Sequence, residues 1–585
     1  MEISNMRTKT GKFLTKAVFS DGTGAVEAVW FNQPYLNRTL KKGSQVGLAG
    51  KVEPFSGRIT LLNPEFEIIR GGSRTHTAGL VPVYPETARV SSKWLRNRVR
   101  GILSKLGETG QEEFIPPKYL KEEDLPSWKE ALRQIHFPKN EQEAQRSRAR
   151  FAFEELLLFN LRSAQRRRQW EQRKPAVSIS RDRFQKEIAR FIQDLPFDLT
   201  AAQDRALEEI LQDLGRKVPM NRLLEGDVGS GKTVVAAAAA YLTYLNGGRT
   251  VFMAPTEVLA DQHFTTLKDL LEPYGMRIAI RTGSRKPPDE NSDLWIGTHA
   301  LFYRKEKFEK AGLVVIDEQH RFGVEQRAEL LKKSKQDRAP HVLTLTATPI
   351  PRTLALAVYG DLDLSVLDEL PPGRKPVKTF VVPEEKRPSG YRWIHEKVKE
   401  GDQAFVICPL IEESEKESMQ QVKAASAEHA KLQEMFPDLE VGLLHGRLKS
   451  REKEAVLGRF RSGKSPILVS TPVIEVGIDV PNATVMVIAA ADRFGLASLH
   501  QLRGRVGRGE KESFCLLFSE NSASLERLKA LEKTSNGFEL AELDLRLRGP
   551  GEIYGKLQHG AVELKVADLT DSEMLKTSQG AAQEL

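Results

Sequence analysis

The chain has 585 residues, too many for one domain at about 150 residues each, and a 40% apolar content that is enough for several packed cores. A formal charge of +9 favours a polyanionic partner such as nucleic acid. Two cysteines, Cys408 and Cys515, exclude a disulfide framework; both sit in apolar runs as reduced core thiols, and no apolar run approaches the roughly 18 residues of a membrane helix, which points to the cytoplasm.

From the amino terminus, residues 12–19 and 25–31 alternate around the turn Ser20-Asp21-Gly22-Thr23-Gly24 and read as two strands. Residues 45–52 and 58–63 read as two more. Four short strands suggest a small barrel such as the OB-fold, a common nucleic-acid platform that wants five, so its first strand is expected before Met1. In Trp30-Phe31-Asn32-Gln33-Pro34-Tyr35-Leu36, the rings of Phe31 and Tyr35 suit stacking on unpaired bases, although the residues alone favour filling the barrel core. Residues 71–77 read as a linker and 93–106 as a helix. Residues 141–171 read as a long helix with Phe153, Leu156, Leu157, Leu161 and Ala164 in one stripe. Arg146, Arg148, Arg150, Arg162, Arg166, Arg167 and Arg168 crowd the remainder, where phosphate contact and a plain solvated face are equal rivals.

Residues 196–361 repeat strand, loop and helix, the pattern of a parallel sheet whose functional loops gather at the carboxyl ends of its strands. Gly226-Asp227-Val228-Gly229-Ser230-Gly231-Lys232-Thr233 fits the P-loop pattern, between the apolar run Arg222-Leu223-Leu224 and an alanine-rich helix. Its glycines let backbone N–H groups curl around phosphate oxygens, Lys232 reaches the β- and γ-phosphates, and the Thr233 hydroxyl suits Mg²⁺. The chain therefore binds a nucleoside triphosphate. An apolar strand at 313–316 runs into Asp317-Glu318-Gln319-His320, giving one carboxylate to hold Mg²⁺ and a second to orient and deprotonate a water. Upstream, Phe197, Thr200 and Gln203 offer a ring and an amide for an adenine.

Leu370-Pro371-Pro372-Gly373-Arg374-Lys375-Pro376 is a stiff break that divides the series. Strands at 404–408, 441–444, 467–470 and 484–488 follow without a second P-loop. This half carries Gly477-Ile478-Asp479 and Gln501-Leu502-Arg503-Gly504-Arg505-Val506-Gly507-Arg508. Arg505 and Arg508 stand one helical turn apart. Facing the P-loop they are arginine fingers; otherwise they are a surface pair. One nucleotide held between two lobes closes a cleft that hydrolysis reopens, which is the action of a translocase.

The ordered set 226–233, 317–320, 346–348 and 501–508 resembles the superfamily-two helicases. Outside those motifs, Trp30-Phe31-Asn32-Gln33-Pro34-Tyr35-Leu36, Ala131-Leu132-Arg133-Gln134-Ile135-His136-Phe137-Pro138 and Met220-Asn221-Arg222 resemble the RecG family of bacterial branched-DNA helicases. So do Arg321-Phe322-Gly323-Val324 and Leu545-Arg546-Leu547-Arg548-Gly549-Pro550-Gly551, in order over nearly the whole chain. The resemblance implies a multi-domain α/β protein. Its parts are an OB-type β-barrel wedge over 1–72 lacking its first strand, a linker and helical segment over 73–190, RecA-like parallel-sheet motor lobes over 191–369 and 370–520, and a helical-hairpin tail over 521–585.

The same resemblance implies an ATP-dependent DNA helicase and translocase that regresses stalled forks and migrates Holliday junctions in recombination and repair. It would act as a monomer, with ATP and Mg²⁺, on branched DNA and alongside single-strand-binding protein. Catalysis would fall to Asp317, Glu318, Gln319, His320, Gln501, Arg505 and Arg508. ATP would meet Phe197, Thr200, Gln203, Gly226, Asp227, Val228, Gly229, Ser230, Gly231, Lys232, Thr233, Gly477 and Asp479, with Mg²⁺ on Thr233 and Asp317. Phe31 and Tyr35 would cap parted bases rather than fill a core, and Thr256, Thr298 and His299 would also contact DNA. Thr346, Thr348, Arg546, Arg548 and Gln558 would couple the ATP cycle to movement. The family extends before Met1, which implies a truncated copy here. It also has Gly-Thr-Arg-Gln where this chain has Gly555-Lys556-Leu557-Gln558. A fork-binding ATPase with an uncoupled motor is therefore one alternative, and a duplex translocase of the transcription-repair coupling type, which shares the tail, is another.

Overall fold

The computed structural model describes residues 2–7, 13–55, 58–69, 80–87, 90–106, 112–283, 285, 291–298, 301, 311–318, 338–349, 351, 354–355, 359–409, 415–472, 480, 482–507, 509, 511–521, 524–548 and 564–585. They fall into two compact units. The first holds residues 1–158 with two carboxyl-terminal pieces, 564–568 and 576–585, and the second holds 159–563 and 569–575.

In the first unit five strands, β1 (Glu2–Arg7), β2 (Phe13–Ser20), β3 (Ala25–Phe31), β4 (Val46–Phe55) and β5 (Arg58–Ile68), form one sheet in the order β1-β2-β3-β5-β4. All neighbours are antiparallel except β3 and β5, which run parallel with Glu27 opposite Thr60. This is the five-strand OB arrangement. The expectation of a missing first strand is therefore corrected: β1 pairs along its whole length with β2. Its sequence, Glu-Ile-Ser-Asn-Met-Arg, hides it, because Ile3 packs against the core while residues 4–7 are exposed. The core centres on Trp30, which is buried with Ala17, Ala28, Leu36 and Leu40. The Trp30 indole N–H, which burial would otherwise orphan, donates to the Pro64 carbonyl at 2.8 Å. Beside this core, Phe31 is half-buried and Tyr35 is 56% exposed. Tyr35 is not a core residue.

The long helix forms over Glu141–Glu171 as its periodicity predicts. Its arginines are neither a plain solvated face nor uniformly free for phosphate. Arg150 is fully buried and ion-paired to Glu113 at 2.6 Å and Glu154 at 2.7 Å, and Arg146 pairs with Asp124 at 2.7 Å. In the other unit, Arg167 pairs with Glu171 and Asp363. The carboxyl-terminal pieces are tied down in the same manner: the Glu155 carboxylate accepts the backbone N–H groups of Val566 and Ala567 at 2.9 Å.

The second unit contains two parallel sheets and a short ribbon pairing β6 (Lys174–Pro175) with a two-residue strand, Arg338–Ala339. The first parallel sheet comprises β7 (Asn221–Gly226), β8 (Arg249–Met253), β9 (Ile278–Arg281), β10 (Leu294–Gly297), β11 (Ala311–Asp317), β13 (His341–Thr346) and β14 (Asp363–Leu367), the ribbon strand being β12. Their order is β14-β7-β13-β11-β8-β10-β9. The second sheet comprises β15 (Lys378–Pro383), β16 (Gln403–Ile407), β17 (Val441–Leu444), β18 (Ile467–Ser470), β19 (Ala483–Ile488) and β20 (Phe514–Ser519), in the order β15-β20-β19-β16-β18-β17. Sheet membership changes between Leu367 and Lys378, across the Pro-Pro-Gly break.

Local chemistry explains the P-loop's seat. The helix Lys232–Leu245 is apolar almost all round, and its alanines 236–240 are all buried, so it packs deep against the sheet. On β7, Arg222 is 8% exposed yet fully engaged: its guanidinium meets the Asp213 and Glu209 carboxylates and the Ser365 hydroxyl at 2.7–2.8 Å. Cys408 and Cys515 are buried free thiols, and desolvation pushes both up to about 12, so neither is a nucleophile at neutral pH. Among the described residues no helix is long and apolar enough to cross a membrane.

His341 on β13 gives this lobe a pH dependence. Its ring is fully buried, and its Nδ1 accepts the Met220 N–H at 3.0 Å, so the neutral form is the one that fits. Desolvation lowers it from 6.5 to about 4. Below pH 6.5 the unfolded chain takes up this proton before the folded one does. Stability present above that pH is therefore lost as pH falls toward 4, by about 3 kcal/mol, with no further loss below. Urea unfolding at several pH values, compared between the native chain and His341→Gln, isolates the effect; equal pH slopes in the two would refute it.

Candidate active site

The P-loop leaves β7 at Gly226 and turns into its helix at Lys232. Gly229 (φ +80°) and Gly231 (φ +83°) are both left-handed, a conformation that costs other residues about 1 kcal/mol or more, which is why the loop spaces glycines there. The Lys232 ammonium lies along the loop, donating to the carbonyls of Gly226 at 2.7 Å and Asp227 at 2.9 Å. Burial lowers its pKa, against the raising pull of Glu318, Asp317 and Asp227. Gln203 braces the loop from outside. It is 2% exposed, its amide N–H donates to the Ser230 carbonyl at 2.8 Å, and its oxygen accepts the Thr200 N–H in a capping box. Both ends of the amide expected to meet adenine are engaged within the protein, whereas Phe197 is exposed.

The parallel sheet delivers the acidic pair next to this loop. Asp317 ends β11, between β13 and β8, and Glu318 follows in a left-handed turn with φ +53°. Burial pushes the Asp317 carboxyl up. The His263 hydrogen bond (2.8 Å) and the charges of His263, Lys232 and Arg505 outweigh that and hold it below the usual carboxylate range. His263, on the helix Glu257–Leu271, is a site residue to which sequence reasoning gave no role.

The second sheet faces the same cleft. A cavity of about 1660 Å³, ample for a nucleoside triphosphate, is lined by Lys232, Thr233, Asp317, Glu318, Arg374 and Arg505, and also by Thr256 and Thr298. Gln501, on the helix Leu496–Arg503, donates to the Thr348 hydroxyl at 2.7 Å, and the Thr346 hydroxyl in turn accepts the Thr348 N–H at 3.2 Å. Arg505 is 7% exposed. Thr256 caps its helix through Leu259 N–H, and Thr298 is buried. Arg546 is exposed on the helix Gly537–Arg548. Gln319, His320, His299, Gly477, Asp479, Arg508 and Gln558, and the side chain of Arg548, lie outside the described residues.

A second unanticipated histidine joins the P-loop to the tail. His500 Nε2 lies 2.9 Å from the Asp227 carboxylate, while its Nδ1 accepts from Arg503 at 2.7 Å. Arg503 also donates to the carbonyls of Leu531 and Thr534. The following helix begins at Gly537, where a Cβ would overlap the Asp227 carboxylate and sit 2.7 Å from His500 Nε2. Burial raises the Asp227 carboxyl, but the His500 contact and Lys232 hold it low.

Four family models match the chain: the RecG wedge domain over residues 1–106, the DEAD/DEAH box helicase over 200–357, the helicase conserved C-terminal domain over 390–510, and the ATP-dependent DNA helicase RecG, domain 3, C-terminal over 534–585. The ATP-dependent DNA helicase RecG of Aquifex aeolicus is 42% identical over 98% of this chain and 76% of its own length. That of Bacillus subtilis is 42% identical over 96% and 82%. The chain belongs to the RecG family of ATP-dependent DNA helicases. The solved structure of RecG bound to a three-way DNA junction is 37% identical and superposes with a TM-score of 0.72, covering 99% of this chain and 77% of that one. Membership settles the fold class: a RecG wedge and two RecA-like parallel sheets, with helices at the carboxyl end. The wedge model spans all five strands β1–β5, β1 included.

Proposed function

We propose that this chain is an ATP-dependent helicase and translocase that remodels branched DNA, regressing stalled forks and migrating Holliday junctions. The observation that carries the reading is the single cleft lined by Lys232, Asp317, Glu318 and Arg505, drawn from both parallel sheets of a RecG-family chain. In this reading the triphosphate lies on the inward N–H groups of residues 228–233, and Lys232 exchanges the Gly226 and Asp227 carbonyls for phosphate oxygens. Thr233 and Asp317 are a hard-oxygen donor set suited to Mg²⁺, with Asp317 held ionised by its neighbours. Held there, Mg²⁺ would supply positive charge against the charge that develops on the phosphates. Glu318 orients the attacking water and accepts its proton. Gln501, hydrogen-bonded to Thr348, reports the closed cleft, and Arg505 with Arg508 meets the charge that develops on the transferred phosphoryl group. The same reading has the protein act in the cytoplasm, as a monomer and alongside single-strand-binding protein.

The wedge converts movement into strand separation. Tyr35, exposed beside the buried Trp30, supports a base-capping role together with Phe31. Phe31→Ala/Tyr35→Ala weakens binding to a fork over plain duplex by about 10-fold or more, given ~1–3 kcal/mol per stacked base. Equal loss on both DNAs would overturn the capping role. The whole function is tested by measuring fork regression and DNA-stimulated ATP hydrolysis in one preparation. Regression coupled to hydrolysis is expected; hydrolysis with no regression would mean an uncoupled motor and refute the helicase reading.

A further inference from the structure

One guanidinium ties the two lobes together at the cleft. Arg374 belongs to the Pro-Pro-Gly break between β14 of the first sheet and β15 of the second. Its Nη1 donates to the carbonyl of Val228 in the P-loop, and its Nη2 donates to the carbonyl of Gly504 at 3.1 Å, on the opposite lobe. The group packs so closely over the loop that a Cβ on Gly229 would overlap it. Beneath it the lobes touch directly, since a Cβ on Gly504 would lie 3.0 Å from Val228 Cβ. Gly504 immediately precedes Arg505. Pro371 and Pro372 limit the torsional freedom of the segment that presents Arg374.

We propose that Arg374 is a positioning residue that sets Arg505 against the P-loop. The Val228 and Gly504 carbonyls lie on opposite lobes, and it takes the planar, two-pronged fork of a guanidinium to span them. Fixing the Gly504 carbonyl fixes the start of the Arg505 backbone, and a finger displaced by about 1 Å loses on the order of 100-fold in rate. The proposal rests on the reading of Arg505 as a finger.

The test is steady-state ATP hydrolysis by the full chain on fork DNA, with R374A, R374K, R505A and R374A/R505A, each checked by thermal melting. R374A lowers kcat by about 10- to 100-fold with KM for ATP changed less than about threefold. R374K, a compact point charge, does not recover it. R505A lowers kcat by about 10³-fold, and the double variant is no slower than R505A alone, because Arg374 acts through Arg505. Multiplying losses in the double variant, or full recovery by R374K, would overturn the clamp while leaving the finger intact. An R505A enzyme with native kcat would remove the finger reading, and the clamp with it. Should R374A melt early, the same cycle run with R374K decides the matter.

Discussion

Lys232→Ala abolishes ATP hydrolysis and fork regression together while leaving fork binding in place. The ammonium lies along the P-loop on the Gly226 and Asp227 carbonyls, in the field of three carboxylates, Glu318, Asp317 and Asp227. Alanine leaves Asp317 and Glu318 facing the cleft with less positive charge and removes the donor that would meet the β- and γ-phosphates. Losing one preorganised donor of this kind costs about 10²–10³ in kcat, and the lost phosphate contact raises KM for ATP as well. Fork binding survives because the wedge strands β1–β5 and their Trp30 core belong to the other compact unit. A coupled ATPase assay with fork DNA, paired with a gel-shift on the same fork, reads both outcomes. Hydrolysis within about tenfold of the native rate would sink the P-loop assignment.

Motifs in which chemistry dictates residue type were legible, and contacts made across the fold were not. The P-loop, the acidic pair ending β11 and the Gln501–Arg505 stretch announce themselves because phosphate, water and developing charge each demand particular groups at short spacing. β11, buried on both faces, reads as a continuous apolar run. β1 escaped because an exposed strand has no apolar face to show; it is recognised only through its pairing with β2. Arg150 escaped because its partners, Glu113 and Glu154, do not advertise that a polar helix position points inward. His263, Arg374 and His500 each stood where the residues alone gave them no role: on a helix, in the Pro-Pro-Gly break, and just ahead of Gln501. What each touches (Asp317, Val228 with Gly504, and Asp227) is set by which strand ends the parallel sheets bring together.

Glu318→Gln separates chemistry from structure at the same cleft. Glu318 stands directly after β11 with φ +53°, a backbone conformation that costs a non-glycine residue about 1–3 kcal/mol and persists only where the surroundings enforce it. Here β13 and β8 fix β11 on both sides, so the turn aims the carboxylate into the cavity it shares with Lys232 and Arg505. Glutamine keeps the size, the turn and most hydrogen-bonding capacity, but it cannot take a proton from water. The variant therefore melts with the native chain and binds a fluorescent ATP analogue within about threefold, while kcat falls by about 10²–10⁴. Glu318→Gly supplies the complementary control. It loses hydrolysis to the same degree yet melts no lower than the native chain, because relief of the left-handed turn offsets the extra freedom glycine gives the unfolded state. Native-like turnover in Glu318→Gln would assign the base to another group and leave Glu318 a turn residue. Early melting of Glu318→Gly would show instead that its side chain holds the turn, and that the strain is not there for catalysis.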